Sequence, residues 1–203
     1  MWNGIQTGND GMSDHWNRKP GSKLDLITYT NADEVELLLN GKSLGRKANP
    51  TNDPKLRNQI RWSDITYADG RLEAIAYIKD RIVARHKIET TGKAVRLIAT
   101  PEDCSWQADG IDLMHVRIEA VDSKGRRVPM AQDELHFTVE GDATIAAVTN
   151  GDINSDELNT VDHRRLWNGS AMVILRAGRN ASKVVLKTSA DGFKAIATKL
   201  ETK

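Results

Sequence analysis

The sequence has almost no cysteine, few aromatics, no excess charge of either sign and no long apolar run. A single cysteine, Cys104, excludes an intrachain disulfide and a cysteine zinc cluster, so packing and hydrogen bonds must hold the fold. With no base evident beside it, that thiol reads as buried or idle rather than nucleophilic. The 29 Lys and Arg nearly cancel the 28 Asp and Glu, leaving a formal charge of +1. Such a balance supplies no electrostatic drive toward nucleic acid or an anionic membrane, and neither is expected as a partner. No stretch approaches the roughly 18 apolar residues of a membrane span, and residues 1–20 lack a signal-peptide core.

Catalytic and cofactor motifs are missing as well. G-x-S-x-G is absent; its nearest token, Gly169-Ser170, lacks the elbow's second glycine. Neither G-x-G-x-x-G nor a P-loop occurs, so no nucleotide cofactor is expected. The five histidines never fall in H-x-x-x-H, and strand parity turns His115 and His136 toward solvent. One loop, "NGDINSDE" at residues 150–157, has the oxygen ligands for calcium, with Asp152, Asn154 and Asp156 at EF-hand-like spacing. Glu157 stands where that motif needs glycine and His163 where it needs a bidentate glutamate, which favours a hydrogen-bonded loop of turn formers over a metal site.

Helical periodicity is also nearly absent, and the dominant period is two. In the first half the alternation predicts strands at 24–29, 34–39, 42–46, 59–67, 71–78 and 82–89, with hairpin links at Asn40-Gly41, Asp69-Gly70 and Lys79-Asp80. In the second half it predicts strands at 94–100, 113–121, 135–139, 144–148, 171–176, 183–188 and 193–200. Seven short strands in about a hundred residues suggest an immunoglobulin-like sandwich. The expected fold class is therefore all-β, two immunoglobulin-like antiparallel β-sandwich domains in tandem. The polar segment "ETTGK" marks a linker, giving a lead-in at 1–20, a first sandwich at 21–91 and a second at 92–203.

Two kinds of apolar residue invite a functional reading. Around Asn40-Gly41, parity puts Val35, Leu37, Leu39 and Leu44 on one face, with Leu37 opposite Leu44, and leaves Leu38 on the other face between Glu36 and Asn40. An apolar side chain on a polar face makes Leu38 the candidate for an interdomain contact. Trp16, Trp62, Trp106 and Trp167 each offer a broad amphipathic ring for a sugar. Trp62 lies on a strand and packs inward by parity, whereas Trp16 and Trp106 sit in loops and are the better candidates for carbohydrate contact.

"DHWN" at 14–17, followed by "TYTNADEVELLLNGKSLGRK" at 28–47, resembles the region just after the catalytic barrel in family-two glycoside hydrolases, the β-galactosidase-like enzymes of Bacteroidetes. There a His-Trp-Asn segment leads into a YTN-x-x-x-VELFLNGKSLG hairpin. The segments "ADGIDLMHVRIEAVDSKGRRVPMA", "VEGDATIAAVTNGDINSDE" and "LWNGSAMVILRAG" are similar to the terminal domain of the same family, in the same order. Two departures stand out: Arg18 where the family often carries a further tryptophan, and Ala68-Asp69-Gly70 in place of a Pro-Gly turn.

The resemblance implies a non-catalytic C-terminal accessory region. The family's acid and nucleophile glutamates lie in a barrel upstream, and a barrel of about 250 residues does not fit beside two sandwiches, so no catalytic residue and no cofactor is expected here. The implied partner is the catalytic barrel of the same polypeptide, with Met1 internal to a longer chain exported to the periplasm or secreted. A carbohydrate-binding module, with oligosaccharide as partner through Trp16 or Trp106, is the alternative, and an adhesive pair of immunoglobulin-like domains is a third.

Overall fold

The computed structural model describes residues 3–7 and 15–203. The chain divides into two compact units, Met1–Thr91 and Gly92–Lys203, and among the described residues every strand pairing in each is antiparallel.

The first unit contains β1 (Asn3–Thr7), β2 (Lys23–Thr30), β3 (Glu34–Leu39), β4 (Lys42–Ala48), β5 (Gln59–Thr66), β6 (Arg71–Ile78) and β7 (Arg81–Glu89). A three-stranded sheet in the order β1-β2-β5 and a four-stranded sheet in the order β4-β3-β6-β7 contribute to one core. Ile5, Leu26, Ile60 and Trp62 come from the first sheet and Val35, Leu37, Leu72, Ala74 and Ile88 from the second. Alternation supplies those faces: Val35 and Leu37 are fully buried while Glu36 and Leu38, one position after each, are only half-buried.

Tight turns set the registers. Asn40 (φ 53°) and Gly41 (φ 81°) both adopt the left-handed conformation, as do Lys79 (φ 47°) and Asp80 (φ 61°). Paired positive φ values give the turn whose twist matches that of a two-residue hairpin. Asn40 suits it because its short amide tolerates that backbone and also pairs outward, donating to Asp69 O at 2.8 Å and accepting from Arg71 N at 2.8 Å. Leu39 faces Lys42 and Leu38 faces Ser43 as parity requires, but a bulge then shifts the register so that Glu36 meets Arg46. Leu37 therefore does not sit squarely opposite Leu44, although Leu44 still packs against the core.

Sequence periodicity misses one strand of this unit. The lead-in contains β1, which pairs with β2 from Asn3 opposite Thr30 to Thr7 opposite Leu26. With Ile5 flanked by polar residues and glycine, β1 has too little alternation to be read alone; its partner strand supplies the template. Residues 8–14 of the lead-in lie outside the described residues.

The second unit contains β8 (Arg96–Pro101), β9 (Leu113–Val121), β10 (Glu134–Glu140), β11 (Ala143–Thr149), β12 (His163–Arg165), β13 (Ser170–Ala177), β14 (Lys183–Ser189) and β15 (Ile196–Glu201). They form two four-stranded sheets, β11-β13-β9-β8 and β12-β10-β14-β15. Met114, Val116, Ile118, Val173 and Leu175 from the first sheet, with Leu135, Phe137, Val184 and Leu186 from the second, build its core. The three-residue β12, all charged or imidazole, is the strand without an apolar signal here.

A buried carboxylate opens this unit. Asp122 is 1% exposed and accepts from Gly92 N (3.0 Å), Lys124 N (2.9 Å) and Arg126 N (3.0 Å), and from Nε (2.9 Å) and Nη2 (2.7 Å) of Arg126. Burial alone would raise its pKa; the Gly92 amide, the Arg126 guanidinium and the turn amides outweigh that and hold it well below the usual carboxylate range.

Candidate functional site

The structure reverses the expected exposure of Trp16 and Trp106. Trp16 is fully buried. Its indole N–H donates to Ala68 O at 2.9 Å, its ring lies 5.3 Å from that of Tyr67 at a 55° tilt, and its backbone N–H donates to Glu89 O at 2.9 Å. Asn17 completes a clamp: its amide N donates to Thr91 Oγ1 and its amide O accepts from Thr91 N, both at 2.9 Å. Tyr67 OH donates to Asp69 at 2.6 Å and lies 3.1 Å from Thr90 Oγ1, which joins the β5–β6 turn to the end of β7. The His-Trp-Asn segment is thus a plug in the first unit, and its loop position conceals this in the sequence because the covering surface comes from residues more than 50 positions away.

Trp106 is buried for a parallel reason, at 1% exposure. Its N–H donates to Asp112 O at 3.2 Å, while its carbonyl accepts from Lys203 N at 2.9 Å and Ala108 N donates back to Lys203 O at 2.8 Å. The chain after β15 therefore closes over this loop. Neither Trp16 nor Trp106 presents a ring face to solvent. Trp62 packs inward, with its N–H on Thr28 Oγ1 at 3.1 Å.

The other sequence-singled residues fall as follows. Leu38 lies on the side of β3 away from the core, opposite Ser43 and Glu73 and half-buried. Beside it Glu73 pairs with Arg71 and Arg85, both at 3.1 Å, and farther along the same face of β3 Arg46 pairs with Glu34 and Tyr77 OH donates to Glu36 at 2.8 Å. In the 150–157 loop, Asp152 accepts from Asn154 N at 3.0 Å and Asp156 is exposed. The loop's oxygens turn instead to buried Arg164, which donates to Glu157 O (2.9 Å), Asn159 Oδ1 (3.2 Å) and Asn150 Oδ1 (3.2 Å). A resident guanidinium provides the positive charge that a calcium ion would bring. Among the described residues no group of three or more His, Cys, Asp or Glu is placed to hold a metal. Cys104 is exposed rather than buried, and desolvation with the carboxylates of Glu102, Asp112 and Asp103 pushes its thiol pKa up, away from nucleophilic use.

What periodicity undervalued is Trp167, 44% exposed at the turn before β13. Trp167 and Ser170 exchange two backbone hydrogen bonds of 3.0 Å around Asn168 (φ 50°) and Gly169 (φ 72°), again a two-residue left-handed turn. Arg127 Nη1 pins it, donating to Asn168 O at 2.8 Å. Directly opposed residues share a face, so Trp167, Ser170, Glu119 and Ile98 form one row on the outer side of the β11-β13-β9-β8 sheet. The next row is Thr149, Met172, Arg117 and Thr100, and the third runs through Ile174 and His115. Thr100, Pro101, Glu102, His115, Arg117 and Met172 line a depression of about 260 Å³ there. His115 Nδ1 contacts Glu102 at 2.8 Å, Arg117 Nε lies 3.8 Å from Glu119, and Arg127 Nε lies 3.9 Å from the other oxygen of Glu119.

Comparison with known proteins places both units. The model of the glycoside hydrolase family 2 C-terminal domain 5 matches residues 97–199, half of the chain, and a domain of unknown function (DUF4982) matches residues 21–84. The chain is 33% identical over 187 residues to the beta-galactosidase BoGH2A of Bacteroides ovatus, covering 92% of this chain and 21% of that protein. It is 28% identical over 192 residues to a beta-glucuronidase of Formosa agariphila, covering 93% of this chain and 19% of that one. A glycosyl hydrolase family 2 member from Bacteroides cellulosilyticus superposes with a TM-score of 0.92 at 28% identity, over 99% of this chain and 28% of that one. The chain thus spans about a fifth of the length of these curated relatives. It belongs to glycoside hydrolase family 2, and its second unit carries the family's C-terminal domain 5.

Proposed function

We propose that this chain is a non-catalytic C-terminal region of a β-galactosidase-like glycoside hydrolase, two immunoglobulin-like sandwiches that support the catalytic barrel of the same polypeptide and shape one rim of its cleft. On this reading the parent enzyme hydrolyses O-glycosidic bonds in the periplasm or outside the cell. The observation that carries it is the His15–Asn17 clamp. A buried indole, its hydrogen bond to Ala68 and the reciprocal Asn17–Thr91 pair fix the incoming backbone to the first unit. β1, which precedes that clamp, is itself paired with β2, so both described parts of the lead-in are bound to the first unit, and a lead-in held this way transmits support from the sandwich to the domain it joins, which a loose tether of polar residues does not. The small share of each relative that the chain covers supports the same reading.

Leu38 is the contact we assign to the parent's other domains. Leu38→Lys leaves the stability of this chain within about 0.5 kcal/mol, as for a surface substitution, and lowers the melting temperature of the full-length enzyme. Thermal unfolding of both proteins, with and without the substitution, is the test. Equal losses in the two would show that Leu38 serves the sandwich itself and not a neighbour.

A further inference from the structure

We propose that the outer face of the β11-β13-β9-β8 sheet binds a neutral oligosaccharide, with one pyranose ring stacked on Trp167 and the following units lying over Met172 toward His115. The face has the amphipathic character that a sugar requires. Trp167 offers an indole plane on a turn pinned by Arg127, and half-buried Met172 and Ile174 continue an apolar floor along β13. Beside that floor stand hydrogen-bonding groups of both kinds: Ser170, Thr149, Thr100, Arg117, His115, Glu119 and Glu102.

These polar groups are already oriented. Nδ1 of His115 lies 2.8 Å from Glu102, which leaves Nε2 on the other side of the ring, and Glu119 sits between the guanidinium groups of Arg117 and Arg127. Planar groups fixed on strands lose little freedom when a ligand arrives. From the row of Glu119 to that of His115 is four residues, about 14 Å at about 3.4 Å per residue, the length of a short saccharide chain rather than a single ring. The depression of about 260 Å³ interrupts the face at its second and third rows.

Charge selects the class of glycan. On this face Arg117 and Arg127 both lie beside Glu119, and Glu102 lies beside His115, so two guanidiniums meet two carboxylates and a polyanion gains no net attraction. A protein partner is disfavoured by the same composition, because the apolar groups are scattered among paired charges instead of forming one continuous patch. The inference does not depend on the scaffold reading, because it concerns binding by this chain alone.

Affinity electrophoresis of the purified chain through gels containing β-1,4-galactan, galactomannan, xyloglucan or polygalacturonate tests it. The expected result is retardation by at least one neutral glycan, weakened tenfold or more by Trp167→Ala and several-fold by Arg117→Ala, with melting temperatures unchanged. Should Trp167→Ala melt lower, Arg117→Ala carries the comparison. Free migration in all three neutral gels, retardation by polygalacturonate alone, or undiminished binding by both variants would overturn it. Mobility is read without hydrolysis, so this failure leaves the scaffold reading standing, and turnover by the chain would defeat that reading while leaving this one.

Discussion

Single residues do two different jobs in this chain, filling cores and neutralising buried polar backbone. Trp16 does the first: truncation to alanine empties a fully buried site and is expected to cost about 3–5 kcal/mol, read as a lower denaturation midpoint. Asp122 does the second. Its folded pKa lies below the unfolded value of about 3.9, so its contribution is complete above that value and fades as pH falls through the folded pKa. Asp122→Asn is expected to cost about 1.5–3 kcal/mol at pH 7. Denaturation of both proteins from pH 7 to pH 2 should show that gap closing below about pH 4; a gap independent of pH would mean that the charge of Asp122 contributes nothing. Little of this was legible in advance. Asp122 looks like any turn aspartate, and the loop tryptophans looked exposed because local sequence does not report which distant strand end will cover a side chain. Trp167 escaped for the opposite reason: it precedes an apolar run, yet its partner Ser170 turns it outward.

At the scale of elements, turn chemistry and alternation were the readable part. β3, β6 and β9 begin and end where the sequence reading puts them: β9 alternates buried and outward side chains along most of its length, while β3 and β6 are bounded by the Asn40-Gly41 and Lys79-Asp80 turns. β1 and β12 were invisible, as their pairing is imposed by β2 and β10 and not announced by apolar residues of their own. Turns also offer sharp tests. A Cβ on Gly169 would stand 2.2 Å from Val128 O on a backbone with φ 72°, so Gly169→Ala is expected to destabilise the second unit by more than about 1 kcal/mol. Lys79 sits at φ 47° without the chemistry for it, and Lys79→Asn should raise stability by about 0.5 kcal/mol. Chemical denaturation reads both; a neutral Gly169→Ala would contradict the close approach.

The whole molecule is two antiparallel β units, each with its own core. Both were foreseeable as all-β sandwiches because balanced charge, scarce helix formers in period and many short alternating runs leave few other ways to bury the apolar residues. Function was legible mainly through resemblance, since no residue constellation in the chain proposes a reaction of its own. The central claim is that this region supports glycoside hydrolysis without performing it. Incubating the purified chain with nitrophenyl β-galactoside, β-glucoside and β-glucuronide tests this most directly: release of nitrophenol should not exceed the buffer rate, and sustained turnover by pure protein would contradict the account.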